Sequence, residues 1–182
     1  MKILIIYGTI EGQSRKIARF MEEVLQAENH QVVIADATEE PPSPGGYDLV
    51  VVGSSIHMHK YNNAVRDYVM EYVSDLNQIP SAFYSVCMAV ASDIPEEHEE
   101  AADIAKSFLK HTGWNPMTVW QIAGALKYTK YDYFKRLIMR MIAKKQGGAT
   151  DTSQDYEYTD WEEVKTLVSD FVQKIKEKEL VG

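Results

Sequence analysis

Apolar residues fall in two alternating rhythms along this chain. Lys2-Ile3-Leu4-Ile5-Ile6-Tyr7, Asp48-Leu49-Val50-Val51-Val52-Gly53 and Ala82-Phe83-Tyr84-Ser85-Val86-Cys87-Met88 are nearly continuous apolar runs. That is the pattern of strands covered on both faces. Stretches 31–36 and 117–123 complete a set of five strand candidates. Helical spacing predicts helices over 13–27, 61–76, 97–111 and 160–178. The last has Thr159 or Asp160 as N-cap and Glu162 and Glu163 in its first turn. Pro41-Pro42-Ser43-Pro44-Gly45-Gly46 reads as a rigid surface turn, too short for a linker. Strands alternating with helices imply an α/β fold with a parallel, doubly wound sheet. In the strand order 2-1-3-4-5, a ligand sits at the switch point between strands 1 and 3. Residues 126–158 break the rhythm and form an insertion between the fifth strand and the last helix.

Composition narrows the class. At 182 residues, 45% hydrophobic and 25% charged, the chain suits one globular domain over 1–182. A net charge of −8 disfavours nucleic acid as a partner. The single cysteine, Cys87, rules out an internal disulfide and fits a reducing compartment. The short apolar run after Lys2 makes sense as a strand and not as a signal peptide, and no stretch approaches the length of a membrane span. The expected location is cytoplasmic. The acidity is uneven. Between Lys127 and Lys145 seven basic residues (Lys127, Lys130, Lys135, Arg136, Arg140, Lys144, Lys145) face one acid, Asp132, so the segment carries +6 and the rest −14. Tyr131, Phe134, Ile138 and Met141 recur there at helical spacing, and Arg136, Arg140 and Lys144 form another stripe. A basic amphipathic helix of this kind binds anionic membrane surfaces or acidic partners, or docks its apolar stripe on its own domain.

The candidate chemistry begins directly after the first strand. Gly8-Thr9-Ile10-Glu11-Gly12-Gln13-Ser14 leads from strand to helix. Such a loop turns unpaired N–H groups and the positive end of a helix dipole toward one point. It has no Gly-Lys-Ser/Thr and no G-x-G-x-x-G, and no Lys or Arg before Arg15. A phosphate held by neutral donors suits a monophosphate that stays bound, as in flavin mononucleotide (FMN). Cys87 is not a phosphatase nucleophile, because C-x5-R would need arginine where Asp93 stands. His57 and His59 suggest a metal only weakly, with no acidic or thiol ligand near them in sequence.

Several stretches together resemble the flavodoxin family, and within it the flavodoxin-type menaquinone-dependent protoporphyrinogen IX dehydrogenases of haem biosynthesis. They are Thr9–Ser14, Val52-Gly53-Ser54-Ser55-Ile56 with Tyr61, Pro80–Val86, Ile122–Tyr128, Gly147-Gly148 with Thr150-Asp151-Thr152, and Tyr158-Thr159-Asp160-Trp161. The resemblance implies a flavodoxin-like five-stranded sheet and an FMN cofactor. The phosphate would be held by Thr9, Ile10, Glu11, Gly12, Gln13 and Ser14. Ser54, Ser55, Ile56 and His57 would wall one side of the isoalloxazine. Ser85, Val86, Cys87, Met88, Ala89 and Gly124 would approach its pyrimidine edge. The implied activity is six-electron oxidation of protoporphyrinogen IX to protoporphyrin IX, with electrons passed to menaquinone. His57 is the best general acid or base candidate. A membrane quinone gives the 127–145 segment a reason to meet the inner face of the cell membrane. A flavodoxin electron carrier without its own substrate, a flavin-dependent NAD(P)H:quinone reductase, and a regulatory module that has lost the cofactor are the competing readings.

Overall fold

The computed structural model describes residues 1–128, 139, 143, 144 and 151–181, without the side chains of Glu179 and Val181. Five parallel strands lie in the order 2-1-3-4-5: β1 (Lys2–Gly8), β2 (Gln31–Asp36), β3 (Leu49–Ser55), β4 (Ser81–Cys87) and β5 (Thr118–Ala123). All pairs are parallel, with registers such as Tyr7↔Gly53 and Gly53↔Tyr84. The loops leaving β1, β3, β4 and β5 therefore share one edge of the sheet.

Period-two alternation divides the core between the two faces. Ile3, Ile5, Val51 and Tyr84 pack against α1 (Gln13–Ala27) and the last helix, α5 (Trp161–Val181). Leu4, Ile6, Val50, Val52 and Phe83 pack on the other side against α2 (Asn63–Glu71), α3 (Val73–Leu76) and α4 (Pro95–Thr112).

Two expected boundaries move for local reasons. The helix expected over 61–76 begins later, because the Asn62 side chain accepts the Ala64 N–H and caps it. It also breaks at Tyr72 (φ −108°, ψ 20°), and Leu76 beyond the break is fully buried under the sheet. The helix expected over 97–111 starts earlier, at Pro95. There proline occupies the first turn with Glu96 and Glu97, and Gly113 at φ 73° ends the helix. Met88 leaves β4 for a single 3-10 turn over Met88–Ala91. Asp160 is the cap of α5, accepting the Glu163 N–H at 3.0 Å.

The insertion is pinned at its base. β6 (Ala125–Leu126) pairs antiparallel with β7 (Tyr156–Glu157). Leu126, Tyr128 and Ala143 are buried together, with Met88, Met139, Tyr156 and Tyr158 packed around them. Among the described residues, Met139 and Ala143 thus face the domain, while Lys144 is exposed. The stripes of Tyr131, Phe134, Ile138 and Met141 and of Arg136 and Arg140 lie outside the described residues, as do Gly147, Gly148 and Thr150.

Candidate flavin site

The loop after β1 closes on itself. The Gly12 N–H donates to Thr9 Oγ1 at 2.8 Å, which leaves the Thr9 hydroxyl proton free to donate elsewhere. Gly12 stands at φ 96°, and nothing lies within 4 Å of where its Cβ would be. α1 starts there without a side-chain cap. Its first N–H groups, at Gln13, Ser14 and Arg15, have no partner within the helix. The Ser14 hydroxyl is fully buried and has no hydrogen-bond partner. Open space, free N–H groups and an orphaned hydroxyl together fit a phosphate.

The loop is braced from behind. Tyr84, fully buried, donates its phenol proton to the Ser14 carbonyl at 3.0 Å. Its ring lies where a side chain on Gly53 would stand, since a Cβ there would collide with the ring. A glycine inside a strand marks such a close approach. Burial pushes the Tyr84 phenol well above its ordinary range, with the nearby Tyr7 and Asp36 charges adding to it, so it stays a donor. Gln13 turns away from the loop. Its amide donates to Glu157 Oε1 (2.7 Å) and Thr159 Oγ1 (2.9 Å), and Thr159 in turn donates to the Ala123 carbonyl. Lys16 completes the brace with an ion pair to Glu157 at 2.7 Å. Burial pushes the Glu157 carboxyl up, but hydrogen bonds from Lys16 and Gln13 and the charges of Lys16 and Lys127 outweigh it and hold it low.

The second loop, after β3, is a tight hairpin. His57 and Lys60 exchange both backbone hydrogen bonds, at 2.8 and 3.1 Å. Met58 (φ 49°) and His59 (φ 61°) form its turn. Two left-handed residues in succession are the signature of a type I′ turn, which normally takes Asn-Gly. The Met58 side chain is 83% exposed. His59 Nδ1 reaches Glu100 Oε1 on α4 at 2.9 Å. Below the hairpin, the Ile56 N–H donates to the Val86 carbonyl, and the Tyr61 phenol donates to Ser85 Oγ at 2.8 Å. Ser54 Oγ accepts the Asn62 N–H and donates to the Ser55 carbonyl. The fully buried Ser54 and Ser85 hydroxyls are thus engaged with the protein, while Ser55, Ile56 and His57 remain half-buried at the edge.

Cys87, Met88 and Ala89 leave β4 half-buried, and the Gly124 N–H donates to the Cys87 carbonyl at 3.1 Å. Burial pushes the Cys87 thiol up, against backbone hydrogen bonds from Val90 and Ala89. It is not an activated thiolate. The sheet therefore gathers the three expected groups of site residues at one edge, on either side of the β1/β3 switch point. The sequence alone does not single out the bracing residues Tyr84, Gly53, Glu157 and Thr159 as site residues. Glycine in an apolar strand was the available signal for the first two. No local signal pairs Gln13 with Glu157, 144 positions away.

Comparison with known proteins agrees with this geometry. Residues 4–153 match the family model described as flavodoxin domain. The chain is 38% identical over 165 residues to a protein of Escherichia coli K12 named protoporphyrinogen IX dehydrogenase [quinone], covering 90% of this chain and 91% of that one. A Leishmania major protein of the same name is 32% identical over 174 residues, covering 93% of this chain and 74% of that one. Among solved structures, oxidised flavodoxin 1 from Bacillus cereus superposes with a TM-score of 0.59 at 13% identity, covering 95% of this chain and 98% of that one. A flavodoxin from the domain Archaea gives 0.56 at 16%, covering 97% and 99%. These two likenesses show the fold.

Proposed function

The chain belongs to the flavodoxin-domain family, and on that premise we propose that it oxidises protoporphyrinogen IX to protoporphyrin IX through FMN and passes the electrons to menaquinone. The observation that carries this reading is 38% identity sustained over nine-tenths of both chains with the Escherichia coli enzyme. The chain is accordingly an oxidoreductase, and its family implies a flavin. FMN is the form the loop favours, because Thr9–Ser14 offers one compact set of neutral donors and no glycine pattern for a pyrophosphate.

When bound, FMN supplies the redox chemistry, accepting electrons from the porphyrinogen and delivering them to the quinone. The chain supplies position and environment. Thr9, Ile10, Glu11, Gly12, Gln13 and Ser14 hold the phosphate, with Tyr84 and Glu157 keeping their loop in place. The hairpin side, from Ser54, Ser55 and Ile56 to His57, covers one flank of the ring. The stretch Ser85, Val86, Cys87, Met88 and Ala89, with Gly124, forms the other edge and excludes water. His57, half-buried at the foot of the hairpin, is the side chain we assign to proton exchange with the substrate. Among the described residues no helix is long and apolar enough to cross a membrane. Contact with a membrane quinone would instead run through the basic 127–145 segment, at the inner face of the cell membrane.

An anaerobic assay with FMN-loaded protein tests this directly. Porphyrin fluorescence should appear with a menaquinone analogue as the only acceptor and should need no NAD(P)H. Turnover that requires NADPH, with none on porphyrinogen, overturns the proposal in favour of a quinone reductase.

A further inference from the structure

A cavity of about 300 Å³ borders the phosphate loop at Glu11, Gly12 and Gln13. Arg15, Lys16 and Arg19 of α1 line it together with Lys127 at the start of the insertion, and Glu11 is the one acid on its wall. The placement of these cations runs against helix electrostatics. Arg15 and Lys16 stand in the opening turns of α1, where the helix dipole disfavours positive charge, and no acid balances them in the first turn. Arg15 and Arg19 are four residues apart on the same face, so they repel. Lys16 is answered by Glu157 and Lys127 by Asp155. Arg15 and Arg19 have no acid partner among the described residues. Two unanswered guanidinium forks side by side match a carboxylate.

A second observation points to more than an anion. Gln13 also lines this cavity and is 5% exposed. Its Nε2 is committed to Glu157 and Thr159, and its Oε1 is buried without a partner. A ligand that brings both an anionic oxygen and an N–H donor satisfies both features. Gly12 and Gln13 of the phosphate loop border this cavity, but the Thr9 and Ser14 hydroxyls do not, and the FMN phosphate brings no N–H. A porphyrinogen carries propionate carboxylates and pyrrole N–H groups.

We propose that this cavity is a substrate subsite, in which Arg15 and Arg19 bind a propionate carboxylate of the porphyrinogen. The inference rests on the function proposed above and assigns these residues to specificity. The binding involves no covalent step.

The test uses FMN-loaded protein and two probes, protoporphyrin IX and its dimethyl ester, with binding read from porphyrin fluorescence. Both arginines are exposed, so the double variant Arg15→Gln/Arg19→Gln should keep the fold. It should bind the free acid roughly tenfold or more weakly, the loss expected for a charge-assisted pair. The ester should bind wild type and variant alike. Arg15→Lys/Arg19→Lys, which keeps charge but loses the fork, should recover part of the loss. In turnover the Gln variant should raise KM while holding kcat. Equal binding of acid and ester by wild type overturns the subsite. So does a fall in FMN affinity in step with porphyrin affinity, which would assign the arginines to the flavin phosphate. Porphyrinogen bound through the arginines but never oxidised would instead overturn the proposed activity and leave the subsite standing. Normal oxidation untouched by the double substitution would do the reverse.

Discussion

The loop leaving β1 and the hairpin leaving β3 start from neighbouring strands, yet one is held from behind and the other at its tip. Around Thr9–Ser14 the restraints are buried: the Tyr84 phenol on the Ser14 carbonyl, and Gln13 on Thr159. The positive-φ position is a glycine. In the hairpin, the left-handed positions fall to Met58 and His59, and the tie to α4 is an exposed His59–Glu100 contact. Left-handed backbone costs about 1–2 kcal/mol for a residue with a Cβ. An exposed polar contact of this kind returns less than about 1 kcal/mol. The hairpin is therefore the strained, weakly fastened wall of the site, and the phosphate loop is its fixed wall. Strain of this kind, where it persists, is found at ligand clamps and switches.

The sharpest way to break the contrast is to attack the rigid side from behind. Gly53→Ala sets a Cβ against the Tyr84 ring. It should cost about 2–3 kcal/mol in urea unfolding, as overpacking does, and weaken FMN binding as well. Tyr84→Phe, which removes only the bond to Ser14, should cost about 1 kcal/mol. If Gly53→Ala leaves FMN affinity untouched, the loop does not depend on that brace.

Gly12→Val should act on the ligand more than on the fold. A branched residue at φ 96° adds about 1–2 kcal/mol of backbone strain and fills the space open to the anion. FMN affinity, read by fluorescence quenching, should fall roughly tenfold or more, since 1.4 kcal/mol corresponds to a factor of ten.

Glu157 offers a pH test of the same brace. Its carboxyl lies below its ordinary value of 4.5 when folded. A depressed carboxyl contributes stability above its unfolded value, and that contribution is lost as pH falls through the folded value. Glu157→Gln should therefore lower stability at neutral pH, where that contribution is fully present, and flatten part of the acid limb below about pH 4.5, where variant and wild type converge. An unchanged acid limb would remove Glu157 from the brace.

The smallest effect has the opposite sign. Met58→Gly relieves a left-handed residue whose side chain is 83% exposed. After the entropic cost of glycine, stability should rise by about 0.5–1 kcal/mol. Glu100→Gln should lower it by less than about 0.5 kcal/mol. A loss of stability in Met58→Gly would mean that the hairpin is unstrained.

What was legible in the chain follows the same division. The strands showed because apolar runs such as Ile3–Ile6 and Val50–Val52 are buried on both faces, and α1 showed through its apolar spacing. The Thr9–Ser14 loop showed because backbone chemistry at a helix start is written in local residue types. The hairpin did not, because Met58-His59 carries none of the Asn or Gly that a type I′ turn prefers. The helix break at Tyr72 has no proline or glycine to announce it. Tyr84–Ser14 and Gln13–Glu157 join positions far apart in sequence, and register alone brings them together.

The central claim is that the flavin held at this edge takes its electrons from a porphyrinogen. It is tested most directly by a single anaerobic mixing experiment. Protein loaded with oxidised FMN is mixed with protoporphyrinogen IX, or separately with NADPH, while the visible absorbance of the flavin is followed. Porphyrinogen should bleach the flavin, and a menaquinone analogue added afterwards should restore the colour. NADPH should bleach it far more slowly. Rapid bleaching by NADPH with none by porphyrinogen would contradict the account.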